Sequence, residues 1–69
     1  MIMNIKDIGT LIQRRRKALR IDQRNLSDIS RVSVHTLSNI EAGTGNPTVE
    51  TLNQILDVLG LELSIQVKE

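Results

Sequence analysis

Residues 23–41 read QRNLSDISRVSVHTLSNIE, and their punctuation decides the fold. Asp22 stands just before the stretch, an oxygen acceptor suited to the free N–H groups of a helix start, and the helix it opens holds Leu26 and Ile29. Ser33 is a second such cap, and behind it Leu37 and Ile40 fall three apart on one helix face. Gly43 follows where the end of a helix favours glycine. Only Arg31 and Val32, with the Ser33 cap, separate the two helices, which forces a sharp bend. Two short helices around so tight a turn, within about 20 residues, form a helix-turn-helix unit.

Working outward, Asn4 with Asp7 three residues on predicts the start of a helix whose stripe runs through Ile5, Ile8, Ile12, position 16 and Leu19. Downstream, Pro47 and Thr48 open a helix carrying Val49, Leu52, Ile55, Leu56 and Leu59 at helical spacing, and Gly60 stops it. Then the period changes. Leu61, Leu63, Ile65 and Val67 alternate with Glu62, Ser64, Gln66 and Lys68, the pattern of a strand. The expected fold is mainly α: four to five helices ending in a short β-strand, with residues 1–60 as the helical domain and 61–69 as a strand and tail.

Composition limits what such a chain does. Its 69 residues make one domain at most. With no cysteine there is no disulfide, thiolate nucleophile or cysteine-held metal, and His35 is the one histidine, so neither a metal centre nor any other cofactor is expected. No Phe, Trp or Tyr is present to stack on single-stranded bases. Asp57, Gly60 and Glu62 interrupt the apolar stretches, and the start lacks the basic and apolar regions of a signal peptide, so a cytoplasmic protein with no membrane span is expected. An enzyme is not. Charge is distributed unevenly: residues 1–20 set six cations against Asp7, for +5, whereas residues 48–69 set Lys68 against four acids, for −3. One end of the molecule thus suits a polyanion.

The run 23–41 also resembles the phage-repressor (Xre-type) helix-turn-helix family, through Gln23, Leu26, Ser27, Val32, Ser33, Leu37, Ile40 and Glu41. The continuation AGTGNPTVETLNQILDVLGLEL is similar as well, and the strand that ends the chain looks most like HipB-like antitoxin regulators. The resemblance implies a lambda-repressor-like domain that binds double-stranded DNA, with its third helix in the major groove. Val34, His35, Thr36 and Asn39 are then the base-contacting residues; asparagine matches the N6/N7 edge of adenine, and valine a thymine methyl. Gln23, Ser33 and Thr44 are the implied phosphate contacts, Gln23 also as a buttress for the recognition helix, with Arg15 and Lys17 supplying salt-dependent attraction. Two positions depart from the pattern. Arg31 replaces the usual turn glycine, placing a β-carbon where φ > 0 is needed, a strain of about 1–2 kcal/mol. Gly43-Thr44-Gly45 lacks the loop cation the family often carries.

Arg16 falls on the apolar stripe of the first helix, and Glu41 on that of the third, four beyond Leu37. Charges on buried faces must be paired, and in the resembled family such a pair bridges these two helices, so Arg16 and Glu41 are expected to form a structural ion pair. A lone strand leaves its backbone groups unsatisfied. Leu61, Leu63, Ile65 and Val67 are therefore expected at a homodimer interface, as an antiparallel ribbon about a twofold axis, and a palindromic operator follows; the alternative is an extended tail packed on its own domain or ordered only by a partner. The expected function is an autoregulating repressor and antitoxin, with a kinase-type toxin as partner on resemblance alone. The alternative is a protein-interaction module that neutralises a partner and binds DNA with little specificity.

Overall fold

A computed structural model describes residues 4–68. Met1–Met3 and Glu69, part of the expected domain and tail, lie outside the described residues. Among the described residues four helices follow one another: α1 (Ile5–Ala18), α2 (Gln23–Ser30), α3 (Val34–Glu41) and α4 (Val49–Val58). Each begins at an acceptor side chain. Asn4 and Asp7 form a reciprocal capping box, with Asp7 N donating to Asn4 Oδ1 at 3.0 Å and Asn4 N to Asp7 Oδ2 at 3.2 Å. Asp22, Ser33 and Thr48 cap the other three by accepting from Asn25 N, Thr36 N and Thr51 N. Among the described residues, no helix is long and apolar enough to cross a membrane.

The core is built from Ile12, Leu26, Val32, Leu37, Ile40, Leu52, Ile55, Leu56 and Leu59, with Ile8, Ile21, Val58 and Leu61 packed at its edge. Helix α3 packs against α1 and α2, and α4 against α2. Gly9 permits the first of these contacts, because a β-carbon there would collide with the carbonyl oxygen of Ile40. Between α2 and α3 the chain turns at Arg31, whose φ of 64° and ψ of 25° place it in the left-handed region, as the turn requires. Its N–H donates to Ser27 O at 2.8 Å and closes α2.

Three apolar positions depart from the expected stripes. Ile29 is 61% exposed and Val49 65%, while Leu19 caps the end of α1 and is also exposed. Helices of eight and ten residues have little room on the inner face. Buried Ser30, one step beyond Ile29, faces inward and accepts from Val32 N at 3.3 Å.

The tail also differs. Residues 61–68 form no strand in the single chain. Leu61 packs on the core, Leu63 is partly exposed, and Ile65 and Val67 are 100% and 93% exposed. Alternation specifies a strand only when a second one takes up the backbone groups, and no such strand exists among the described residues.

Candidate nucleic-acid interface

Helix α3 is held from behind by a charged network. Arg16 reaches from α1 to Glu41 in bidentate fashion, Nε donating to Oε2 at 2.7 Å and Nη2 to Oε1 at 2.9 Å. Its Nη1 donates to Ile21 O at 2.8 Å. The Arg16 and Glu41 side chains are 10% and 2% exposed. Gln23, the first residue of α2, adds a third bond, its Nε2 donating to Glu41 Oε1 at 3.2 Å. One carboxylate at the end of α3 thus ties together three helices. No buried side-chain polar atom among the described residues lacks a partner. The hydrogen bond to Glu41 raises the Arg16 pKa above the already high value of a guanidinium, against the opposing effect of burial; the charges of Glu41 and Asp22 add to the rise.

Away from this network, α3 presents its opening turn to solvent. Val34 and His35 are exposed, and Thr36 and Asn39 half-buried. Ser33 both caps α3, accepting from Thr36 N at 3.1 Å, and donates its hydroxyl to Thr36 Oγ1 at 2.9 Å. One turn apart, His35 Nε2 and Asn39 Nδ2 lie 3.4 Å from each other. Thr36 and Asn39 also line a cleft of about 200 Å³ closed by the loop Thr44-Gly45-Asn46-Pro47. The structure therefore brings Ser33, Val34, His35, Thr36, Asn39 and Thr44 into one neighbourhood.

Other expected contacts are placed differently. Thr44 directs both its N–H (2.9 Å) and its hydroxyl (3.1 Å) to Asn39 O, so a phosphate there requires the hydroxyl to turn. Arg15 Nε donates to Leu59 O at 2.8 Å, placing its guanidinium at the carbonyl end of α4, where a cation suits the helix dipole. Lys17 is exposed. Gln23 is half-buried and bonded to Glu41 of α3, the helix that the resemblance has it buttress, although the run of residues did not name Glu41 as its partner. Gly9 escaped notice, because only the helix pairing reveals what stands opposite it.

A family model described as helix-turn-helix matches residues 12–66, which includes α2, the turn, α3 and α4. The chain belongs to this helix-turn-helix family. Among solved structures, the helix-turn-helix chain is similar to the clp gene regulator ClgR from Corynebacterium glutamicum. The TM-score is 0.79 and the identity 27%, over 87% of this chain and 64% of that one. The chain thus spans just under two thirds of that regulator's length. No curated protein matches it.

Proposed function

We propose that the protein is a sequence-specific, double-stranded DNA-binding transcriptional regulator that reads the major groove with the first turn of α3. The observation that carries this reading is the contrast between the two sides of α3. Its inner end is clamped through Glu41 to Arg16 and Gln23, while Val34 and His35 stand exposed beside Thr36 and Asn39. A rigid helix with an open polar end is what base readout needs, because bidentate contacts tolerate little displacement. Membership of the helix-turn-helix family and similarity to a gene regulator support it. Ser33 and Gln23 serve as phosphate ligands at helix starts; Lys17 and Arg15 add charge, and Thr44 joins them if its hydroxyl turns.

The test is a contrast between two variants on a duplex selected from random sequence. Asn39→Ala should relax the preference at one base pair per half-site and cost about 1–3 kcal/mol there, whereas Lys17→Ala should weaken all duplexes alike. Equal losses on every duplex from Asn39→Ala would remove that residue from the groove.

The finer reading assigns residues 1–60 to DNA binding and 61–69 to dimerisation through Leu61, Leu63, Ile65 and Val67, paired across a twofold axis on a palindromic operator. Exposure of Ile65 and Val67 supports it. Likeness of that ending to HipB-like antitoxin regulators supports an autoregulating antitoxin with a kinase-type toxin as partner. Co-purification with the product of a neighbouring kinase-like reading frame tests this. The alternative, an interaction module with little DNA specificity, draws on the engaged Thr44 hydroxyl and the acidic second half of the chain. A steep fall of affinity with salt, together with discrimination against scrambled duplexes, decides for the regulator.

A further inference from the structure

We propose that the apolar cleft between α1 and α4 is the seat of Val67 from a second copy, in an antiparallel ribbon whose twofold axis passes through Ile65. The inference rests on the dimer reading above and deepens it to a register and a place on the helices. Ile8 and Leu11 of α1, Leu56 of α4 and the tail residues Leu61, Glu62 and Leu63 line a cleft of about 140 Å³. Leu11 and Leu63 are 45% and 41% exposed, and Ile65 and Val67 stand beyond them in water. The chain thus holds an apolar recess and, next to it, apolar side chains that do not fill it. A short reversal does not bring its own Val67 there, because residues 64–66 offer no glycine, proline, asparagine or aspartate to turn on.

The register follows from what each residue would oppose. Directly opposed side chains share one face of a ribbon, so apolar residues meet apolar ones only if the axis falls on a residue and not between two. An axis at Leu63 would oppose Val67 to Leu59, which is fully buried at the end of α4. An axis at Ser64 would oppose it to Leu61, which already packs on the core and donates its N–H to Leu56 O at 2.8 Å. An axis at Gln66 would oppose Leu63 to the acid Glu69. With the axis at Ile65, Leu63 opposes Val67, Ser64 opposes Gln66 and Glu62 opposes Lys68, each twice by symmetry. Apolar then meets apolar, and acid meets base. Opposite charges across a ribbon attract, and like charges there repel.

That register also names what enters the cleft. Opposed Cβ atoms lie about 4.5–5.5 Å apart, and Leu63 is itself part of the cleft wall. Val67 of the second copy, across from Leu63 and on the same face, therefore comes to rest over Ile8, Leu11 and Leu56. Leu61 meets it from below instead of across the ribbon. The twofold axis sends Val67 of the first copy into the other cleft, so each chain closes its partner's recess.

The experiment uses the full chain, with the dimer dissociation constant measured by sedimentation at low salt. The chain has no cysteine, so each one introduced reports alone. Ile65→Cys should give a disulfide-linked dimer under mild oxidation. Ser64→Cys and Gln66→Cys should not, because each lies two residues out of line with its own copy, beyond the roughly 7 Å a disulfide spans. Glu62→Lys and Lys68→Glu should each weaken the dimer by about tenfold, and both changes in one chain should restore it. Leu11→Gln, at an exposed position of α1, should weaken the dimer about tenfold while the helices stay folded by circular dichroism. A dimer that links through Ser64→Cys or Gln66→Cys, charge reversals that do not compensate, or a Leu11→Gln chain that dimerises like its parent overturns this inference alone. A parent chain that stays monomeric at every concentration removes the dimer reading and this inference with it.

Discussion

Removing the Arg16 guanidinium would leave the Glu41 carboxylate, almost closed to water, with Gln23 as its remaining side-chain donor, and would take from the Ile21 carbonyl its side-chain donor. Arg16→Ala should therefore destabilise the fold by about 3–5 kcal/mol in urea melts, whereas replacing both partners together by Met and Leu should cost far less. A loss within the roughly 0.2–1 kcal/mol of a solvated pair would show the network to be a surface feature. Because the folded-state pKa of Arg16 is raised, its stabilisation is complete below the ordinary guanidinium value and is lost only as pH climbs through the raised one. Arg16 thus contributes no pH dependence near neutrality. The pairing of Arg16 with Glu41 was legible because each is a charge on an apolar stripe that demands an opposite charge, and the family resemblance implied that the two meet. For Gln23 the resemblance gave the buttressing of α3 but not Glu41 as the partner, since a glutamine at a helix start has several partners open to it.

Among elements, the helices were legible because each announces itself twice, by a cap and by a stripe. Asn4, Asp22, Ser33 and Thr48 mark all four starts. The short helices were harder to phase: Ile29 and Val49 fit the spacing yet face solvent. The approach of α1 to α3 was not legible, because nothing around Gly9 says what lies across from it. Helix propensity alone would make Gly9→Ala a gain of about 1 kcal/mol. Collision of the new methyl with the backbone of Ile40 should instead make it a loss of about 1–3 kcal/mol. A thermal melt that shows the variant to be as stable as its parent would mean that these two helices are not so closely seated.

At the scale of the molecule, the tail is the part whose alternating residues announced a strand that a single chain cannot complete. Truncation after Gly60 should leave the helices folded and abolish dimerisation in sedimentation; a shortened chain that dimerises as the full one does would place the interface elsewhere. The tail starts from a fixed root, since Arg15 binds Leu59 O and Leu61 N donates to Leu56 O at 2.8 Å. Beyond that root, residues 62–68 have no strand partner among the described residues. Cleavage concentrates in exposed backbone with few contacts. If two tails pair as proposed, a solitary copy offers its own degradation site and a paired copy hides it. Brief digestion of dilute protein should nick the chain beyond Gly60, and concentrated protein should resist. Under that pairing, lifetime would become a function of abundance, with scarce chains removed faster than plentiful ones.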